Sequence, residues 1–159
     1  MLMKVFPHGT GEGDKPSRYL VRPDYPGRDT APPQVLRGDP AMTRALIDSI
    51  ERRWKFTSGV LSWHPDEKVR EEQEEEVMDA FEQVAFAGLE ADQRNILWVR
   101  HTHAGHHELH FLIPRLELSS GKDFNACPPG WQKDFDVFRD LFNWREGWAR
   151  PNDPARTRD

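Results

Sequence analysis

The chain has a single cysteine, only two tyrosines, and no apolar run near the roughly 18 to 20 residues of a membrane-crossing helix. Cys127 alone cannot close an internal disulfide and reads as an inert thiol, which points to a reducing compartment, the cytoplasm. The first residues lack the apolar centre of a secretory signal, and no membrane partner is expected. Internal repeats are absent, and the one biased tract is a run of glutamates. No histidine follows His110, which excludes metal sites that draw imidazoles from the last third of the chain.

What is present fits a folded catalytic or binding domain. With 36% hydrophobic and 31% charged residues, 159 residues are enough for one domain with a real core, and disorder is excluded. The expected division is a catalytic domain over residues 1–150 and a polar tail or linker start over 151–159. A net charge of −5 argues at first against a nucleic-acid partner. Residues 66–92, however, hold eleven of the 27 acids and two of the 22 bases, leaving 20 bases against 16 acids elsewhere. Screening over about 8 Å makes the local balance the relevant one.

Met1–Phe6 reads as a short strand that breaks into a glycine-rich loop, followed by a helical turn around Ser17–Leu20. Six prolines (16, 23, 26, 32, 33 and 40) predict an irregular segment up to Asp39. "DPAMTRALIDSIERRW" predicts a helix with Asp39 as N-cap and Pro40 in the first turn. "KFTSGVLSW" predicts a strand. "HPDEKVREEQEEEVMDAFEQVAFAGL" predicts a long helix with a seam of Val69, Gln73, Val77, Phe81 and Val84/Ala85, its glutamates forming a solvated face. Two strands, "RNILWVRHTH" and "HHELHFLIPRLEL", and a last helix, "DFDVFRDLFNWREGWA", complete the chain. The expected class is α+β, an antiparallel sheet covered by helices on one face in a two-layer sandwich.

Five of the seven histidines lie between Arg100 and Leu118. If Asn95–His103 and His106–Leu118 pair through a turn at Ala104-Gly105, residue i faces residue 209 − i. His101, His103, His106, Glu108 and His110 then share one face, and His107, Leu109, Phe111 and Ile113 the other. A longer loop would remove His103 and His106 from the set and keep His101, Glu108 and His110. Imidazole and carboxylate donors suit Mn, Zn, Fe and Ni, with Mg a weaker match. The plain alternative is an exposed polar hairpin. "HELH" is one residue short of the helical H-E-x-x-H zinc motif. "HTHAGH" resembles the H-x-H-x-D-H signature of metallo-β-lactamase-type hydrolases, with Gly105 in place of the aspartate. Hydrolysis and a histidine-rich metal-binding module therefore stand as alternatives.

Several stretches together resemble the relaxases of mobilisable plasmids, in the colicin-type-plasmid branch marked by a His–Glu–Asn metal triad. They are "HGTGEG…SRYL", "VLRGDP…TRALIDSI", "FTSGVLSW", "LEADQRNILWVRHTHAGHHELHFLIPRLELSSGKDFN" and "RPNDPAR", in the family's order along nearly the whole chain. The resemblance implies an HUH-endonuclease-like fold and a divalent metal, magnesium or manganese. It places the triad on His101 and Glu108, with His110 where this branch has asparagine, and the catalytic tyrosine on Tyr19. Tyr25 is the fallback nucleophile, and His103 and His106 are candidates for an accessory role. The implied reaction is metal-dependent nicking of one DNA strand at the transfer origin through a 5′-phosphotyrosyl intermediate, with resealing. The implied partners are single-stranded origin-of-transfer DNA, accessory mobilisation proteins and a type IV secretion coupling protein. DNA contacts are expected from Lys15, Arg18, Arg22, Arg28, Arg37, Arg100, Arg115 and Lys122, and base stacking from Trp63, Trp98 or Trp131.

Overall fold

The computed structural model describes residues 1–151 except Asp24. Residues 152–159, which hold nearly all of the expected tail and most of "RPNDPAR", lie outside the described residues. Five strands form one antiparallel sheet: β1 (Leu2–Val5), β2 (Gln34–Arg37), β3 (Phe56–Ser62), β4 (Leu97–His101) and β5 (Glu108–Pro114), in the spatial order β1-β3-β5-β4-β2. The histidine-bearing strand β5 is thus central, with bonded neighbours on both sides. Four helices accompany the sheet: α1 (Asp14–Val21), α2 (Pro40–Asp48), α3 (Glu71–Ala85) and α4 (Gln132–Glu146).

The α+β class and the antiparallel sheet hold, but the covering differs from a single helical layer. Period-two alternation puts Trp98, Leu109, Phe111 and Ile113 on one face, where they pack with Val77, Met78 and Phe81 of α3 and Phe135, Phe138 and Phe142 of α4. Phe81 sits at the centre of this layer, its ring 4.6 Å from Phe111 and 5.0 Å from Trp98. Leu97, Val99 and Leu112 on the opposite face pack against Leu20 of α1 and Ile47 of α2. An apolar surface on both sides of a central strand needs cover on both sides, and each helix pair supplies one layer.

Local signals explain most boundaries. Asp39 caps α2 by accepting from the Ala41 amide at 3.0 Å, with Pro40 in the first turn as expected. Helix α3 begins at Glu71 rather than His64, because His64–Glu67 closes a turn of its own and Gln73 caps the Arg70 amide at 2.9 Å. Helix α1 is longer than a single turn. Strand β2 lies inside the segment expected to be irregular. Its prolines end at Pro33, and Gln34–Arg37 pairs along the edge of the sheet with β4, where a bulge separates Val35 from Arg37.

Candidate metal centre and nucleophile helix

The register between β4 and β5 sets the site. His101 is opposite Glu108 and Val99 opposite His110, the pairing read from the hairpin. The connecting loop spans 102–107 rather than two residues and turns through Gly105, whose φ of +83° disfavours a side chain. His103 and His106 accordingly lie in the loop beside the cluster, the His103 ring 5.3 Å from that of His101, while His101, Glu108 and His110 are the residues whose donor atoms converge. One donor atom from each of these three lies within 4.8 Å of the others, a spacing that fits a single cation.

The electrostatics favour the same set. His101 is 1% exposed, and burial together with His110, Arg28 and His103 lowers its pKa to about 4, so its imidazole is neutral at neutral pH. Its Nε2–H donates to the Leu20 carbonyl at 2.7 Å, which leaves Nδ1 with the lone pair for a metal. Burial alone would raise the Glu108 carboxyl, but hydrogen bonds and charge from His110 and His106 outweigh it and hold the group at about 2. Those bonds run from His110 Nε2 at 3.2 Å and His106 Nε2 at 3.1 Å. The donors are therefore two imidazoles and an ionised carboxylate, which suits a divalent ion. His106 supports Glu108 from outside the triad. A convergent His101–His103–His106 set, which the hydrolase motif requires, is not what the fold assembles.

Leu20 ties this centre to α1, and Tyr19 is the preceding residue. Tyr19 is 44% exposed, with the Tyr25 ring edge-on at 5.5 Å; Tyr25 in turn lies 6.0 Å from the His103 ring. Burial, Tyr25 and Glu108 raise the phenol pKa against an opposing effect of Arg28, so Tyr19 is not ionised by its surroundings. The helix is held close to α2 by Gly13, where a Cβ would meet the Arg44 carbonyl oxygen at 2.8 Å and Ile47 Cβ at 2.9 Å. The Gly13 amide also donates to Asp48 at 2.7 Å.

The basic residues separate into groups. Lys15, Arg18 and Arg22 lie on or just after α1, beside Tyr19. Arg37 bonds Glu75 at 2.7 Å, Asp79 at 2.7 Å and Glu82 at 2.5 Å. Arg100 grips Glu74 through Nε and Nη2 on the α3 side of the sheet, and Arg115 grips Asp123 beyond the far end of β5. Lys122 is exposed in that same distant region. Arg28 is fully buried against the two tyrosines. Trp63 and Trp98 are core residues, closed to stacking with bases, because their positions fall on the α3–α4 face of the sheet. Cys127 is buried, its thiol pushed up to about 12, in keeping with an inert role.

Glu74 is the residue that sequence reading missed. Only 2% exposed, it accepts from Arg100 and from His107 Nε2 at 2.7 Å. The signal was available: positions 74, 77, 78, 81 and 85 have the spacing of one buried helical face.

A family model described as "Relaxase: MobA/VirD2-like, nuclease domain" matches residues 41–143, a span that contains His101, Glu108 and His110 but not Tyr19. Cryptic plasmid protein C of Neisseria gonorrhoeae is 40% identical over 159 residues, covering 98% of this chain and 75% of that protein. DNA relaxase MbeA of Escherichia coli is 36% identical over 159 residues, covering 99% of this chain and 30% of that protein. The family match spans more than half of the chain and holds the three candidate metal ligands, and on this ground the chain belongs to the relaxase family, as a MobA/VirD2-like nuclease domain.

Proposed function

We propose that the chain nicks one strand of plasmid DNA at a transfer origin and rejoins it, using Tyr19 as the nucleophile. The observation that carries this reading is the Leu20–His101 hydrogen bond, which fastens the tyrosine helix to the three clustered metal donors. In the reaction Tyr19 Oη bonds to the scissile phosphorus, the P–O3′ bond breaks, and the phenolic proton is lost as the 3′ oxygen gains one. The DNA is left joined to the protein at its 5′ end, and the free 3′ hydroxyl reverses the step. A divalent ion held by His101, Glu108 and His110, magnesium or manganese, supplies positive charge against the phosphate oxygens.

The chain's own residues do the rest. His101 is kept neutral and oriented by Leu20, Glu108 is kept ionised by His106 and His110, and α1 presents Tyr19 beside them. Lys15, Arg18 and Arg22 receive phosphates of a single strand passing Tyr19. Accessory mobilisation proteins and a type IV coupling protein are the partners this role needs, and the cytoplasm is its place. Among the described residues no helix is long and apolar enough to cross a membrane.

The test uses a single-stranded oligonucleotide carrying the transfer origin of the plasmid that encodes the chain, incubated with Mn2+. The expected result is a covalent protein–DNA adduct that Tyr19→Phe abolishes and chelation prevents. Normal nicking by Tyr19→Phe would overturn the nucleophile, and nicking undiminished in EDTA would overturn the metal requirement.

A further inference from the structure

Arg28 is 0% exposed, yet no carboxylate among the described residues pairs with it. Its Nη1 donates to the Tyr19 carbonyl at 2.5 Å and the Arg22 carbonyl at 2.9 Å, closing the C-terminal end of α1. The guanidinium lies over the Tyr19 ring at 4.9 Å and the Tyr25 ring at 4.7 Å. Its other two nitrogens, Nε and Nη2, are buried without a hydrogen-bond partner. Buried charged donors are normally satisfied, so a pair left open beside a reactive side chain calls for a ligand.

The identity of the open atoms says which ligand. Nε–H and Nη2–H point in parallel and form the guanidinium's two-pronged edge, which matches two oxygens on one centre. Two arginines of this chain use that same edge on carboxylates: Arg100 on Glu74 at 2.7 and 2.5 Å, and Arg115 on Asp123 at 3.0 and 2.7 Å. In Arg28 the edge is turned to no carboxylate, and the guanidinium lies against the rings of Tyr25 and the proposed nucleophile, Tyr19. We infer that Arg28 is a phosphate-binding residue of the cleavage site, its Nε/Nη2 edge gripping the two non-bridging oxygens of one phosphodiester in the strand that Tyr19 attacks. This rests on the relaxase reading for the nature of the strand. Tyr25, 38% exposed and lying on the guanidinium, is the side chain that turns aside to admit the phosphate. Gly27, with φ of +84°, lets the loop carrying both residues pass within contact of His103.

The test measures binding, not cleavage, with Tyr19→Phe protein in EDTA and the same origin oligonucleotide, so neither the tyrosine hydroxyl nor a metal contributes. Arg28→Met is expected to weaken binding about tenfold or more, with Arg28→Lys recovering only part of it, because an ammonium lacks the paired donors. A series of oligonucleotides with a neutral methylphosphonate at successive positions should contain one position that weakens binding to the Arg28 protein and leaves the Arg28→Met protein unaffected. If every position affects both proteins equally, the inference is overturned. Should Arg28→Met fail to fold in a thermal melt, the series on the Arg28 protein still decides: a uniform response along the strand overturns the inference, and one dominant position beside the cleavage site upholds it. A missing covalent adduct would sink the proposed function and leave this binding result standing, so the two failures are distinguishable.

Discussion

His101 uses one ring nitrogen on Leu20 and has the other open to the proposed cation, and its burial has a pH signature. Its folded pKa of about 4 lies below the ordinary 6.5, so between these values the unfolded chain binds a proton that the folded chain does not. Stability of the metal-free protein therefore rises with pH across that window, and the contribution is lost as pH falls from about 6.5 through about 4. His8 and His103 are lowered as well, chiefly by burial, and act with the same sign. Urea unfolding at pH 5 and pH 7 should show lower stability at pH 5, with most of the difference absent in His101→Gln. An equal difference in that variant would show that His101 is not the group held neutral. His110 makes a second residue-level case. Replacing it by asparagine exchanges an imidazole for a harder oxygen donor. His110→Asn should lower Ni2+ affinity by about tenfold more than Mn2+ affinity in calorimetric titrations. Equal losses for the two ions would remove His110 Nε2 or Nδ1 from the ligand set.

At the scale of elements, the site depends on how two helices address the sheet from opposite sides. Glu74 of α3 holds Arg100 and His107, and each of these immediately precedes a proposed metal ligand, His101 and Glu108. Glu74→Ala leaves a guanidinium and an imidazole behind the site without their anion, at a cost of about 3–5 kcal/mol in chemical denaturation. A change below about 1 kcal/mol would mean that Arg100 and His107 re-pair with solvent. On the other face, Gly13→Ala should push α1 from α2, costing about 1–3 kcal/mol and slowing adduct formation by Tyr19, since the Arg44 carbonyl is backbone and cannot step aside. The hairpin register and the Asp39 cap were legible in the sequence because period-two alternation and capping chemistry are local. Strand β2 was hidden because four residues beside prolines have no pattern of their own; pairing with β4 creates them as a strand. Glu74 was hidden because a charged residue inside an acidic run reads as solvated until its buried partners are located. The second helical layer was equally hidden. Leu97, Val99 and Leu112 are apolar on the same face as the histidines, but nothing local says that α1 and α2 return to cover them.

For the molecule as a whole, the question is how a chain of net charge −5 holds a DNA strand. The fold answers by partition. The acids concentrated in residues 66–92 build α3 and its approach, and they engage Arg37 and Arg100 on the side of the sheet away from His101, Glu108 and His110. Arg115 is likewise engaged by Asp123. The cations of α1 and its C-terminal end, Lys15, Arg18 and Arg22, stand with Tyr19 on the other side. If these three and Arg28 carry the phosphate contacts, single-strand binding should lose affinity with salt at a log–log slope near −3, from about 0.7 per phosphate. Were Arg37, Arg100 and Arg115 also on the strand, about seven contacts would bring the slope to about −5. The measurement is affinity for the origin oligonucleotide between 50 and 300 mM (roughly the range where screening dominates), using Tyr19→Phe protein. Lys15→Ala should make the slope shallower by about 0.7, whereas Arg37→Ala should leave it unchanged and act only on stability. A slope of about −5 that Arg37→Ala makes shallower would place the strand across the α3 face. The face of the His101–Glu108–His110 cluster and the DNA path would then lie on different sides of the sheet, which the proposed role of Tyr19, fastened to His101 through Leu20, does not permit.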